Sequence, residues 1–212
     1  MVFDILTSQL SVEVTTVVTL LLTIFLAAVM TKRYMKRKSV SLMYWSTAIW
    51  IFALGVFIEI VFAYGIYSQD LIRSYLFLVA VLVELLALGS MQLVKNRNAK
   101  KVYNVFVILS TLLLAYSLMI SNIGNIITDY VVFGLLPISV VITSSIITFP
   151  AAIILIAVAV KSYLVKRSSK LLSIIAGVII VSIAGTLYIV QYPAFLYIAE
   201  FVGILALWYG FV

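Results

Sequence analysis

The chain has 212 residues, of which 66% are hydrophobic and 10% charged, and its net charge is +7. A water-soluble domain carries roughly 45–50% apolar and about 25% charged residues, so this composition excludes a soluble globular enzyme, a nucleic-acid-binding module and a disordered tail. Cysteine and histidine are both absent, which removes disulfides, thiolate nucleophiles, zinc–thiolate and iron–sulfur sites, and any Ser–His–Asp or Cys–His machinery built from this chain alone.

A membrane helix takes roughly 20 apolar residues, and seven of them occupy about two-thirds of a chain this long. The expected fold class is therefore all-α: one integral-membrane domain over residues 1–212, a bundle of seven transmembrane helices. Met1 to Leu10 has no basic n-region and carries Asp4, so it does not read as a cleavable signal peptide.

The first predicted span is about 14–30, with Glu13 before it and the basic segment Thr31 to Lys38 after it. The second is about 42–64, closed by the polar turn Tyr67-Ser68-Gln69-Asp70. The third, about 74–94, ends in Lys95, Arg97, Lys100 and Lys101, and the fourth is about 102–120. Ser121, Asn122, Asn125 and Asp129 make its exit loop. The next apolar run, Tyr130 to Val160, is longer than one span needs and contains Gly134, Pro137 and Pro150. It is either one tilted, kinked helix, or a short interfacial piece over Val131 to Leu136 followed by a span of about 137–160. Lys161, Lys166, Arg167 and Lys170 follow, then a sixth span of about 171–188, the tight turn Gln191-Tyr192-Pro193, and a seventh span of about 194–212.

Thirteen of the fourteen basic residues fall after spans one, three and five, and Arg73 alone lies on the opposite side with Asp4, Glu13, Asp70 and Asp129. Cytoplasmic loops retain Lys and Arg, and every loop is short enough for that rule to apply. The expected topology is N-terminus outside and C-terminus cytoplasmic, in the plasma membrane. The basic clusters are thus read as topology signals, and no nucleic-acid partner is expected. Trp45, Trp208 and Tyr209 fall near the inner boundary and Tyr64, Tyr67, Tyr75, Tyr130 and Tyr192 near the outer one, where amphipathic rings are favoured.

The chemistry available to the chain lies in three carboxyls inside spans: Glu59, Glu84 and Glu200, with no basic residue inside any span. An ionised carboxylate in hydrocarbon costs on the order of a few kcal/mol. Such groups face the bundle interior, stay protonated, or touch water or a cation. Gly55 and Ala63 flank Glu59 at i−4 and i+4, a small-residue stripe that admits a neighbouring helix. Glu84 lies near mid-span on one face with Leu88 and Gln92, and Glu200 shares its face with Tyr197 and Gly203. A rhodopsin-like helix order would make helices two, three and seven neighbours, and the three glutamates would then line one cavity. The competing reading is three neutral carboxyls locked into packing.

Further polar lining is expected from Thr143, Ser144, Ser145 and Thr148 ahead of Pro150, where a broken helix would free backbone carbonyls. Ser173 and Gly177 read as a packing seam, and Arg73 as a partner of Asp70 or an outer gate. Seven spans match the opsin and receptor plan, but the last span has no lysine for a retinal Schiff base. The functional expectation is a small transport or permeation protein for protons, small cations or a polar solute, working through Glu84, Glu59 and Glu200. The alternatives are a non-catalytic membrane subunit or scaffold, or a seven-helix sensor without retinal. No enzymatic activity, cofactor or metal is expected, and the partners would be the lipid bilayer and a membrane protein or second copy.

Overall fold

The computed structural model describes residues 9–128, 131–132, 134–187 and 193–211. Within them the chain forms seven helices: α1 Gln9–Arg37, α2 Val40–Ala63, α3 Gln69–Met91, α4 Arg97–Ile120, α5 Ile138–Lys166, α6 Ser169–Leu187 and α7 Pro193–Phe211. The first five are long and apolar enough to cross a membrane. α6 and α7 have nineteen residues each. Large apolar side chains cover the outward faces, among them Leu21, Leu109, Leu112, Met119 and Ile153. A contiguous apolar exterior of this kind belongs in lipid rather than water.

The basic segment after the first span is not a loop. α1 continues through it to Arg37, and the turn falls at Lys38, whose φ of 49° is left-handed. Met, Lys and Arg are good helix formers, and cations at a helix C-terminus complement its dipole. α5 ends the same way, running to Lys166 and turning at Arg167 with φ 45°. The long apolar run resolves in favour of two pieces. α5 begins at Ile138, with Pro137 as its N-cap, and stays helical through Pro150. The expected broken helix is therefore absent from α5.

The α4–α5 connection forms a minimal antiparallel pair, β1 Ile127–Thr128 with β2 Val131–Val132. Ile123 and Ile126 of this connection are buried, and Gly134 passes so close to Ile126 that a Cβ would fall 2.8 Å from the Ile126 Cα. β2 rests against α2 and α7, so the connection crosses the bundle end opposite the basic loops.

The helices pack in a ring, α1–α2–α3–α5–α6–α7 and back to α1, with α4 leaning on α3 and α5 from outside. The ring closes directly between α3 and α5, and α4 stays outside it. Towards the basic loops the interior is an apolar layer that includes Leu26, Met30, Ile49, Phe52, Leu86 and Leu207. Small residues set the closest approaches. On α6 and α7, Ser173 Oγ donates to the Ala206 carbonyl at 2.7 Å, and a Cβ on Gly177 would meet Leu207 Cγ at 2.9 Å. On α2 and α3, Ser41 Oγ donates to the Gly89 carbonyl at 2.6 Å, and Trp45 Nε1 donates to the Leu86 carbonyl at 3.1 Å. A Cβ at Gly89 would fall 2.4 Å from Trp45 Cδ1 and 3.1 Å from the Ser41 carbonyl oxygen. Glycine is therefore required there by space. Gly89→Leu should destabilise the bundle by at least about 1–3 kcal/mol, the ordinary cost of overpacking, and a lowered Tm in detergent would register it.

Candidate functional site

All three glutamates in the spans are buried: Glu59 and Glu84 are 1% exposed and Glu200 is 8% exposed. They do not share a cavity. The fold brings Glu59 and Glu200 together and holds Glu84 apart, which corrects the expectation of a single triad. The reason is depth and face: α2 and α7 meet at the level of Tyr75, while Glu84 lies further along α3 and faces the peripheral helix α4.

The first cluster is built from α2, α3 and α7. Tyr75 is in the second turn of α3, its ring edge-on to Phe62 with centroids 5.7 Å apart. That contact aims its hydroxyl at α2, where it donates to Glu59 Oε1 at 2.6 Å. The Glu200 carboxyl adjoins the Glu59 carboxyl, and Tyr197, one turn before Glu200, adjoins Tyr75. Tyr197 also packs with Val12 and Ala63. Glu59 Oε2 finds no hydrogen-bond donor. Ionised carboxylates only accept, so two facing carboxylates cannot satisfy each other. One proton held on the pair provides the missing donor and removes the like-charge repulsion. Among the described residues, no cationic side chain adjoins the pair.

The second cluster joins α3 to α4. Glu84 Oε1 accepts from Ser110 Oγ at 2.8 Å and Glu84 Oε2 from Thr111 Oγ1 at 2.6 Å. Both hydroxyls also lie within bonding distance of carbonyls in their own helix, Ser110 of Phe106 and Thr111 of Val107. Glu84 therefore has partners on both oxygens, as a packing lock between a ring helix and its outer neighbour should. Nine residues separate Tyr75 from Glu84 along α3, or about 13 Å of helix. Buried Ala80 and Leu82 occupy the interval.

The remaining candidates serve local structure. Gln92 ends α3, and its carbonyl accepts from Lys100 Nζ at 2.8 Å. Thr143 donates to the carbonyls of Ser139 and Val140, and Ser144 to that of Val141, so these hydroxyls bond their own helix. Ser145 and Thr148 are half-buried on α5. Arg73 pairs with Asp70 at 3.4 Å and donates to the Ser121 carbonyl at 3.1 Å. It pins the start of α3 to the end of α4.

Sequence reasoning missed Tyr75 as a site residue by reading it as a boundary marker. It also missed Ser110 and Thr111, adjacent hydroxyls in an otherwise apolar span. A third omission is Thr16, Thr19 and Thr23 of α1, all buried on one face. Their spacing of three and four residues was a legible helical stripe.

No protein-family model, curated protein or solved structure matches the chain. The double change Ser110→Ala with Thr111→Val strips both donors from Glu84. It should cost about 1–3 kcal/mol per lost bond, since the buried carboxyl is left unpaired, and unfolding in detergent would measure it. Adding Glu84→Leu should recover part of that loss, because the unpaired polar group is then gone.

Proposed function

We propose that the protein is a non-enzymatic, multi-pass plasma-membrane protein that moves protons or small cations, with the Glu59–Glu200 pair as its exchange site. All seven helices span in this reading. A nineteen-residue helix is about 28 Å long, close to the roughly 30 Å hydrocarbon core. The N-terminus is outside and the basic loops face the cytoplasm. The supporting observation is the pair itself: two buried carboxyls face each other without a cation, bonded on one side by Tyr75. Carboxyls in a membrane interior mark ion pathways and proton relays. The α4–α5 connection rests on α2 and α7 at the outer end, and the apolar layer around Phe52 and Leu207 lies on the inner side. Glu84 becomes a structural residue in this reading, and the relay role passes to Glu59 and Glu200.

One observation favours a second reading, a membrane subunit without transport. A groove of about 490 Å³ at the start of α4, lined by Asn96, Val102, Tyr103, Phe106 and Pro150 and by none of the glutamates, opens on the outside of the bundle. An apolar groove on the exterior suits a packing role.

A proteoliposome assay separates the two. The reconstituted protein, with a trapped pH-sensitive dye and an imposed membrane potential, should carry proton flux well above protein-free vesicles. Glu59→Gln and Glu200→Gln should each lower it about a hundredfold, the scale of a lost proton-transfer group, and Glu84→Gln should leave most of it. A wild type indistinguishable from empty vesicles would leave the subunit reading. Orientation has its own check, made clean by the absence of native cysteine. Tyr67 and Ser169 are both exposed. Tyr67→Cys should react with an impermeant maleimide on intact cells, and Ser169→Cys only after permeabilisation.

A further inference from the structure

Three features on α1 and α2 lie within about two helical turns of one another along the bundle. Glu59 Oε2 is buried without a partner. Thr19 is 2% exposed, and its Oγ1 also has no partner. Its neighbours on the same stripe behave differently: Thr16 Oγ1 donates to the Val12 carbonyl and Thr23 Oγ1 to the Thr19 carbonyl, each at 2.7 Å. Gly55 is buried, yet nothing lies within 4 Å of the position a Cβ would take. A buried glycine in a helix bundle ordinarily meets a neighbour, as Gly89 and Gly177 do. Gly55 instead borders open space.

The helix register brings these features to one place. Val12 of α1 packs with Ala63 of α2 and Tyr197 of α7. From that contact, Thr19 is seven residues on along α1, and Gly55 is eight residues back along antiparallel α2. Both are about two turns away, hence at one level. Glu59 lies one turn closer to the contact, on the Gly55 side of α2, and Glu200 lies one turn along α7 from Tyr197. The space beside Gly55 thus lies at the level of Thr19, one turn along α2 from Glu59.

We propose that this space is a binding site for one dehydrated monovalent cation, sodium as the probe, held by Glu59 Oε2, the Glu200 carboxyl and Thr19 Oγ1. All the donors are oxygen, the set that hard cations choose. A neutral water would satisfy the orphan atoms only while a proton is held on the pair, and the repulsion between the carboxylates returns once that proton leaves. A cation answers both needs. A monovalent ion replaces the one proton of the pair charge for charge. The inference rests on the reading of Glu59 and Glu200 as an exchangeable site, and it identifies the ion that competes there with the proton.

Thermal unfolding of the purified full chain, in sodium chloride against choline chloride at equal ionic strength, tests it. Saturating sodium should raise Tm by about 5 °C, as binding to the folded state requires. Thr19→Val should raise the sodium midpoint about tenfold, the usual effect of losing one supporting ligand, with Tm in choline unchanged or higher. Gly55→Leu fills the space and should abolish the sodium response while the protein stays folded in choline. Equal Tm values in sodium and choline for the wild type would overturn the proposal, as would an undiminished sodium shift in both Glu59→Gln and Thr19→Val. Proton flux that needs Glu59, without any sodium shift, would leave the relay and remove the cation site. A sodium shift in a protein that carries no flux would leave the cation site and remove transport.

Discussion

Two carboxyl groups face each other inside an apolar bundle, and the neighbouring architecture follows from what that costs. Glu59 and Glu200 cannot both be ionised at contact in a low-dielectric interior. The fold brings no lysine or arginine to them among the described residues. It brings a tyrosine. Tyr75 donates one hydrogen bond to one carboxyl oxygen and leaves the charge of the pair unneutralised. A site that needed only to be stable would pair a carboxylate with a cation or replace both groups by apolar side chains. Leaving the charge open to a proton or a small cation is what an exchange site requires.

The bundle has an apolar layer at each end. Towards the basic loops, the ring interior is filled by aliphatic and aromatic side chains from six of the seven helices. At the opposite end Ile123 and Ile126 of the α4–α5 connection pack into a second apolar cluster with Phe62, Ile72, Tyr75 and Leu114. The close helix contacts lie elsewhere, at Gly89 between α2 and α3 and at Gly177 between α6 and α7. Glu84 joins α3 to α4, with both of its oxygens bonded by α4.

Much of the architecture was legible in the residues. Seven apolar runs appear as seven helices, and Pro137 marks the start of α5 as its fixed φ and missing N–H suggest. Ser173 and Gly177 form the seam that small residues at helical spacing imply. The basic clusters misled in one respect. They were read as loops, yet Lys32 to Arg37 continue α1, because charge marks the edge of a membrane and not the end of a helix. Pro150 misled in another, since a proline in a long apolar helix can be carried without interrupting it. Tyr75 was placed at an interface because rings favour that zone, and its hydroxyl instead points inward to a carboxylate.

The sequence by itself determined the class of the molecule and the identity of its scarce polar groups. Apolar runs of membrane length leave helices as the economical backbone solution, and three glutamates among them are costly enough to need partners. Which glutamates meet was decided only in three dimensions. Helical periodicity assigns each side chain a face and a depth, but not the neighbour that face will meet. That depends on the order in which α7 closes on α1 and α6, and on α4 being left outside the ring. Packing joined Glu59 to Glu200 through α2 and α7, gave Glu84 to α4, and left open space beside Gly55, a residue whose small size alone was legible.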